Sequence, residues 1–550
     1  MRQPRARASM RRDLARLSSR QFDLLIIGGG IHGLAAAYDA ALRGLDVALI
    51  ERGDFGAATS GNHLRTVHGG LRYMQTADFA RMRESIVERR TMARIAPHLL
   101  TRLPFLMPTY RKLTRSRLAM RVAFTVDAVV GRDRNDGVAP RLHLPTGRIL
   151  RLGECLERFP DVQRRGLTGA ALWHDYQVRN PDRLNLSFGI AAAASGACLA
   201  NYVEAGTPTR SGARVTGMTA RDVLTGERFD VRARLTLNIA GARAGRFIEA
   251  FGQPGGLPLL KAMNLVTRRR MTGPALASRT HDGRMLFLVP WEGLAVAGTS
   301  HSRTTCGPDD TGVTEQELAG FIGELNEAFP AFRLTADDVT LVHRGVVPAA
   351  RSRRGELGLE GHFRLRDHAR DGIDGAMSLV GVKFTTGRGV AEAAVDVAVA
   401  KLGRRASCRT AGRPLPGAVE DPEALAAEAA RADGATLDLA CFDQLVISYG
   451  SDYPRVLQLT ASEPSLASPV ATHTPVLGAQ IVHAVRDEMA QTLTDVVVRR
   501  VPLGATGHPG AEVVASCAAL VARELGWDER RTQEEVEALR RFYEPVTVGS

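Results

Sequence analysis

Phe22-Asp-Leu-Leu-Ile-Ile27, then Gly28-Gly-Gly-Ile-His-Gly33, an alanine-rich stretch to Ala41, Gly44, and Asp46-Val-Ala-Leu-Ile-Glu51 decide the fold when read in that order. An apolar run of strand length, a glycine turn, a helix-period segment and a second apolar run make a βαβ unit. Gly28 permits the tight turn, Gly30 lets backbone approach a pyrophosphate, and Gly33 lets helix and strand pack closely. The free N–H groups and positive dipole end of the helix face the diphosphate. Glu51 lies 18 residues beyond Gly33, at the end of the second strand, where a carboxylate accepts ribose hydroxyls. The reading is an α/β protein with a doubly wound parallel sheet that binds an adenine dinucleotide.

NAD and FAD both suit this unit. Two later segments favour FAD. Ser378-Leu-Val-Gly-Val-Lys-Phe-Thr-Thr-Gly-Arg-Gly389 again runs strand, glycine loop, helix, and Leu235-Thr-Leu-Asn-Ile-Ala-Gly241 is a strand ending in a small-residue turn. A nicotinamide dehydrogenase is the alternative, separated by the absence of a yellow chromophore.

The chain has 550 residues, 44% hydrophobic and 24% charged, with a mean hydropathy of -0.10. That length suggests roughly three or four folding units. The values exclude a mostly disordered chain, a collagen and a polytopic membrane protein, and no apolar run reaches the ~18 residues of a membrane span. The net charge is +13, from 68 Arg and 4 Lys against 59 acids. A basic surface suits anionic lipid or an acidic substrate. Aromatics are 5% and no nucleic-acid module is present, so no nucleic acid is expected. The six cysteines form no Cys-x-x-Cys pair and read as reduced, buried thiols of a cytosolic protein. The histidines lack ligand spacing, so no metal is expected.

Residues 1–20 hold seven Arg and one acid, with no apolar stretch of an export signal. They read as a solvated basic tail, contact with anionic lipid being the alternative reading, as initiation at Met10 is for the start. Helices are expected over 78–95, 180–194, 315–328 and 388–402. Strands are expected over 285–290, 293–298 and 377–380, with an antiparallel meander at 213–219 and 227–239. Residues 100–170 read as irregular. After Arg413-Pro-Leu-Pro-Gly417 the pattern becomes mostly helical. The domains expected are an FAD-binding domain within 21–410 (about 21–100, 170–250 and 340–410), an interleaved antiparallel-sheet substrate domain (about 101–169 and 251–339), and a C-terminal helical domain over 411–550.

Ala58-Thr-Ser60, His68-Gly-Gly-Leu-Arg-Tyr73 and Ala96-Pro-His98 follow the glycine loop. Later come Val289-Pro-Trp291, Gly298-Thr-Ser300, Gly381-x-Lys383-x-Thr-Thr386, Glu488-Met-Ala, Thr494-Asp-Val and Arg499-Arg500. In this order and spacing the chain resembles the FAD-dependent glycerol-3-phosphate dehydrogenases over most of residues 21–505. The resemblance implies oxidation of a secondary alcohol, glycerol 3-phosphate to dihydroxyacetone phosphate. Hydride goes to the flavin and electrons pass to a quinone. It implies a cytoplasmic protein, peripheral at the inner face of the cell membrane. The partners expected are a small anionic hydroxy substrate, a membrane quinone and a second copy of the chain as a homodimer.

Carried over by motif, His68, Arg72 and Lys383 are the catalytic set. His68 is the general base, and Arg72 grips an anionic group bidentately. Lys383 stabilises negative charge on reduced flavin. Arg72, Tyr73, His301 and Lys383 bind substrate. The cofactor set is Gly28, Gly30, Gly33, Glu51, Thr59, Ser60, Gly241, Gly381 and Thr385. The departures lie on the substrate side. The usual Gly-Val-Arg-Pro is Gly345-Val-Val-Pro348, so Val347 replaces an arginine, for which Arg364 or Arg366 could substitute. Lys-Gly-Ser-His is Lys261-Ala-Met-Asn264, and Gly-Thr-Thr-Asp is Gly298-Thr-Ser-His301. A divergent oxidoreductase on another hydroxy or amino substrate, and a non-catalytic flavoprotein, are the alternatives.

Overall fold

The computed structural model describes residues 10–111, 116–160, 162–280, 282–352, 355–432 and 437–546, without the side chains of Arg72, Gln75 and Thr76. The strand Gln21–Ile27 has six consecutive buried residues, as expected of a strand covered on both faces. It pairs in parallel with Val47–Ile50 on one side and Arg228–Asn238 on the other. Cys198–Ala200 and Ala376–Val380 extend the parallel sheet, and Arg364–Asp367 closes one edge antiparallel. The hairpin Val203–Ser211 and Arg214–Asp222 runs onto the first half of Arg228–Asn238, so that strand serves both the meander and the parallel sheet. The helix Ile31–Leu42 is buried almost throughout. Its alanines let it pack in one core with the helices Pro181–Ala194 and Gly387–Lys401.

A second, ten-stranded sheet stands beside the first. Val339–Arg351, Leu259–Arg270, Leu294–His301 and Met285–Trp291 are antiparallel neighbours. Leu100–Tyr110 and Leu167–Val178 continue it. This corrects two expectations. Residues 100–170 are not irregular: they contain an 11-residue strand and the helix Arg117–Val130. The strands Leu167–Val178 and Val339–Arg351 belong to the second sheet, so the FAD-side segments begin nearer 179 and 360 than 170 and 340.

The reading of residues 1–20 as a solvated tail is also corrected over its described part. Met10 is buried and donates its N–H to the Asp487 carbonyl. Leu14–Ser19 is a helix, capped by Asp13, with Leu17 in the core. Arg12 pairs with buried Asp222 at 2.5 Å.

The C-terminal domain is helical, as expected. Its Glu488 forms a buried bidentate pair with Arg183 of the FAD-side helix. His483 stands 3.1 Å from Asp487 and 3.4 Å from Glu488. Burial alone would lower its pKa, but the two carboxylates override that and raise it to about 9. The folded value exceeds the unfolded value, so this contribution is complete below about pH 6.5 and is lost as pH rises through about 9. The shift corresponds to ~3 kcal/mol. Denaturant midpoints should fall between pH 6.5 and 9.5, and His483→Gln should flatten that fall. An identical slope in the variant would remove His483 as its source.

Candidate active site

The glycine loop is tight for reasons of contact. Gly28 has φ +110, and a Cβ there would lie 2.5 Å from the Ile239 carbonyl oxygen. A Cβ on Gly30 would lie 2.9 Å from Ser60 Oγ, which accepts the Ile31 N–H at the helix N-terminus. Glu51 accepts N–H bonds from Gly29 at 2.7 Å and Gly53 at 2.8 Å. Burial raises its pKa against the effect of those donors.

All of these residues except Gly29 line a cavity of about 660 Å³ between the two sheets. Of the expected site, Gly28, Gly30, Gly33, Glu51, Thr59, Ser60, Gly241, Gly381, Lys383 and His301 are on its wall. Thr59 reaches across to the second sheet and donates its hydroxyl to the Val346 carbonyl at 2.9 Å. His68, Tyr73 and Thr385 are not on the wall but join it through Lys383. The Lys383 ammonium lies 4.3 Å from the Tyr73 ring centroid, and the His68 ring is 6.1 Å from that of Tyr73. Thr385 is buried and accepts the His68 backbone N–H at 3.3 Å, so it holds the loop instead of facing the cavity. The side chain of Arg72 lies outside the described residues.

The His-Gly-Gly sequence follows from crowding. The Gly69 N–H donates to buried Asp175 at 2.7 Å, and the Arg89 guanidinium crosses where a Gly69 Cβ would stand. Gly70 has φ +77 and lies under the Tyr73 ring.

Other wall residues are not among those the sequence singles out for the site. His32 lies against Gly381, where a Cβ would come within 2.4 Å of its ring. His63 stacks on Phe384 at 4.3 Å and accepts the Arg65 N–H at Nδ1, which leaves the proton on Nε2. Burial lowers the His32 pKa to about 4 and, with Arg65 nearby, that of His63 to about 3, so both rings are neutral. Their position inside and just after the two loop motifs is the signal that could have found them.

Strand register settles the substrate side. Val347, Gly345 and His343 face the same side of the second sheet, opposite Leu260, Ala262 and Asn264, and His301 follows Ala262 on the next strand. Gly345 touches Thr59, so this is the cavity face. Asn264 Oδ1 accepts the Thr299 hydroxyl at 2.6 Å, and its amide cannot take a proton. Arg344 cannot replace the guanidinium missing at Val347. It borders the cavity, but its guanidinium is committed to the Glu544 carbonyl. Arg364 and Arg366 do not replace it either: Arg364 pairs with Glu360, Arg366 with Asp371 and Gln253, and neither lines the cavity.

The cavity fits FAD on its own geometry. A cradle without Cβ atoms, a helix N-terminus and a carboxylate at the next strand end match a dinucleotide. The buried Nε2 atoms of His32 and His63 have no partner among the described residues, which a bound polar ring would supply.

Residues 23–397 match the family model described as FAD dependent oxidoreductase. Residues 408–532 match that of the C-terminal domain of alpha-glycerophosphate oxidase. A glycerol-3-phosphate dehydrogenase of Synechocystis sp. is 30% identical over 97% of this chain and 98% of its own. The mitochondrial glycerol-3-phosphate dehydrogenase of Mus musculus is 30% identical over 95% of this chain and 73% of its own. The X-ray structure of the glycerol-3-phosphate dehydrogenase from Bacillus halodurans complexed with FAD has the same fold, with a TM-score of 0.76 at 24% identity and 98% of each chain covered.

Proposed function

The chain belongs to the FAD-dependent oxidoreductases, in the glycerol-3-phosphate dehydrogenase family, and from that footing we propose that it oxidises the secondary hydroxyl of glycerol 3-phosphate. The carrying observation is Lys383, on the cavity wall at the glycine return loop and stacked over Tyr73 of the His-Gly-Gly-Leu-Arg-Tyr segment. FAD, when bound, supplies the two-electron acceptor for the substrate hydride. Lys383 provides the positive charge that steadies developing negative charge. His68, whose ring adjoins the wall beside Tyr73 and Lys383, is assigned the hydroxyl proton, and Arg72 the anionic end. Electrons pass to a membrane quinone. The test is the anaerobic visible spectrum during titration with glycerol 3-phosphate. Bleaching of the oxidised flavin band supports the reading, and an unchanged band removes this substrate.

Val347 favours a second reading, a hydroxy substrate of lower charge. Val347→Arg should lower the KM for glycerol 3-phosphate ~10-fold or more, the worth of a hydrogen bond to a charged group. An unchanged KM would place the phosphate elsewhere.

No helix of the described residues is long and apolar enough to cross a membrane. The helix Arg117–Val130 offers another contact. Leu118, Val122 and Val129 are 70%, 56% and 65% exposed along one face, beside Arg117 and Arg121. Apolar residues with flanking arginines suit the surface of an anionic bilayer. Serine at all three positions should abolish sedimentation with phosphatidylserine vesicles while flavin content stays constant. Undiminished sedimentation would exclude this helix.

A further inference from the structure

Glu488, Asp495, Arg499 and Arg500 have no place on the cavity wall, yet all four are buried. Asp495–Arg500 forms a π-helical turn, a wide winding that often marks functional positions. Arg499 and Arg500 both reach Asp54. Arg500 donates to both carboxylate oxygens at 2.7 Å, and Arg499 Nε donates to Oδ2 at 2.7 Å. Asn201 donates to Oδ1 at 2.9 Å. The Asp54 side chain is 0% exposed and that of Arg500 1%, so solvent does not screen this contact. Behind them Asp495 pairs with Arg499 and accepts the Tyr202 hydroxyl at 2.7 Å. Arg500 Nε donates to the Glu488 carbonyl at 3.0 Å.

Asp54 belongs to the turn that begins at Glu51. The Gly53 N–H donates to Glu51, the Gly53 carbonyl accepts the Tyr202 N–H at 2.9 Å, and the Gly56 N–H donates to the Gly29 carbonyl at 3.0 Å. Glu51 itself accepts the Gly29 N–H. The turn is therefore bonded to the dinucleotide loop on one side and, through one carboxylate, to the C-terminal domain on the other.

We propose that the C-terminal helical domain governs retention of the cofactor, with Arg499 and Arg500 acting through Asp54 as positioning residues for the Glu51 turn. A bidentate guanidinium fixes the plane of the carboxylate it grips. Removing Asp54 strands the buried Arg500 charge, and removing Arg500 leaves the carboxylate with Arg499 and Asn201 alone and its plane no longer fixed, so the turn shifts and takes Glu51 with it. Linkage makes the effect reciprocal, so bound FAD tightens the Glu488–Val501 segment.

The experiment needs no substrate, so its failure is distinct from failure of the glycerol 3-phosphate reading. Flavin release from the full-length holoenzyme is followed by fluorescence after dilution. Asp54→Asn and Arg500→Gln should release FAD about tenfold faster or more, as sites coupled in this way do. Arg500→Lys should fall between, because a lysine cannot bind bidentately. Arg523→Gln, at the exposed pair with Glu463, should match the wild type. Far-UV circular dichroism establishes that each variant is folded. Hydrogen exchange on the wild type, with and without FAD, should show protection across 488–501 as well as 28–56. Release within about twofold of wild type in folded Arg500→Gln would overturn the proposal. So would unchanged exchange across 488–501 on FAD binding, a result that stands even if the variants do not fold.

Discussion

Alanine at Gly33 should yield a protein without flavin. A Cβ built there lies 1.9 Å from the Gly28 carbonyl oxygen and 3.0 Å from its carbon. No rotamer relieves this, because the collision is with backbone. The loop has no slack to yield, since Gly28 already has φ +110 and faces the Ile239 carbonyl at Cβ distance 2.5 Å. Opening the turn would draw the N-terminus of the Ile31–Leu42 helix away from the diphosphate and break the Ile31 bond to Ser60. The measurement is the ratio of absorbance at the flavin band to that at 280 nm after purification, expected near zero if soluble protein is recovered at all. Gly307→Ala, where nothing lies within 4 Å, should keep its flavin. A Gly33→Ala protein with one flavin per chain would show that this loop does not cradle the cofactor.

The second large effect is expected at Lys383. Methionine keeps the length of the side chain and removes the charge. The rate constant of flavin reduction by substrate should fall ~10²–10³-fold, the range for loss of one charge-stabilising donor, or up to ~4 kcal/mol of barrier. Flavin content should not change, because the ammonium packs over Tyr73 and the substitution leaves the backbone of the glycine loop as it is. The Tyr73 ring also carries Arg81 at 4.2 Å, so the aromatic face that orients the lysine persists without it. Stopped-flow reduction under anaerobic conditions reads the effect directly. Equal rates in Lys383→Met and wild type would leave Lys383 without a role in the chemistry.

Gly33 and Lys383 are both legible in the chain of residues, for the same reason. A glycine cradle and a glycine return loop are local devices, written in consecutive residues whose backbone demands are specific. The βαβ unit, the Glu315–Ala328 helix and the strands at 285–291 and 294–301 follow from periodicity, a property of short windows. The His-Gly-Gly-Leu-Arg-Tyr segment is recognisable as a motif. That Gly69 is crowded by Arg89 is not, because Arg89 comes from a later turn of chain.

What the sequence by itself determined is the cofactor half of the protein: the parallel sheet, the glycine loop, Glu51 and the return loop that carries Lys383. Tertiary structure alone decided how the distant segments meet. Pairing of Leu100–Tyr110 with Leu167–Val178 turned an apparently irregular region into sheet. Register put Val347 on the face it shares with Gly345, and tertiary contact committed Arg344, which also borders the cavity, to the Glu544 carbonyl. Only folding brought Arg499 and Arg500 onto Asp54, across more than 440 residues of chain. The physical reason is that backbone preference and hydrophobic period act over a few residues. Burial of a charge is a property of what surrounds it, and its surroundings here come from distant parts of the sequence.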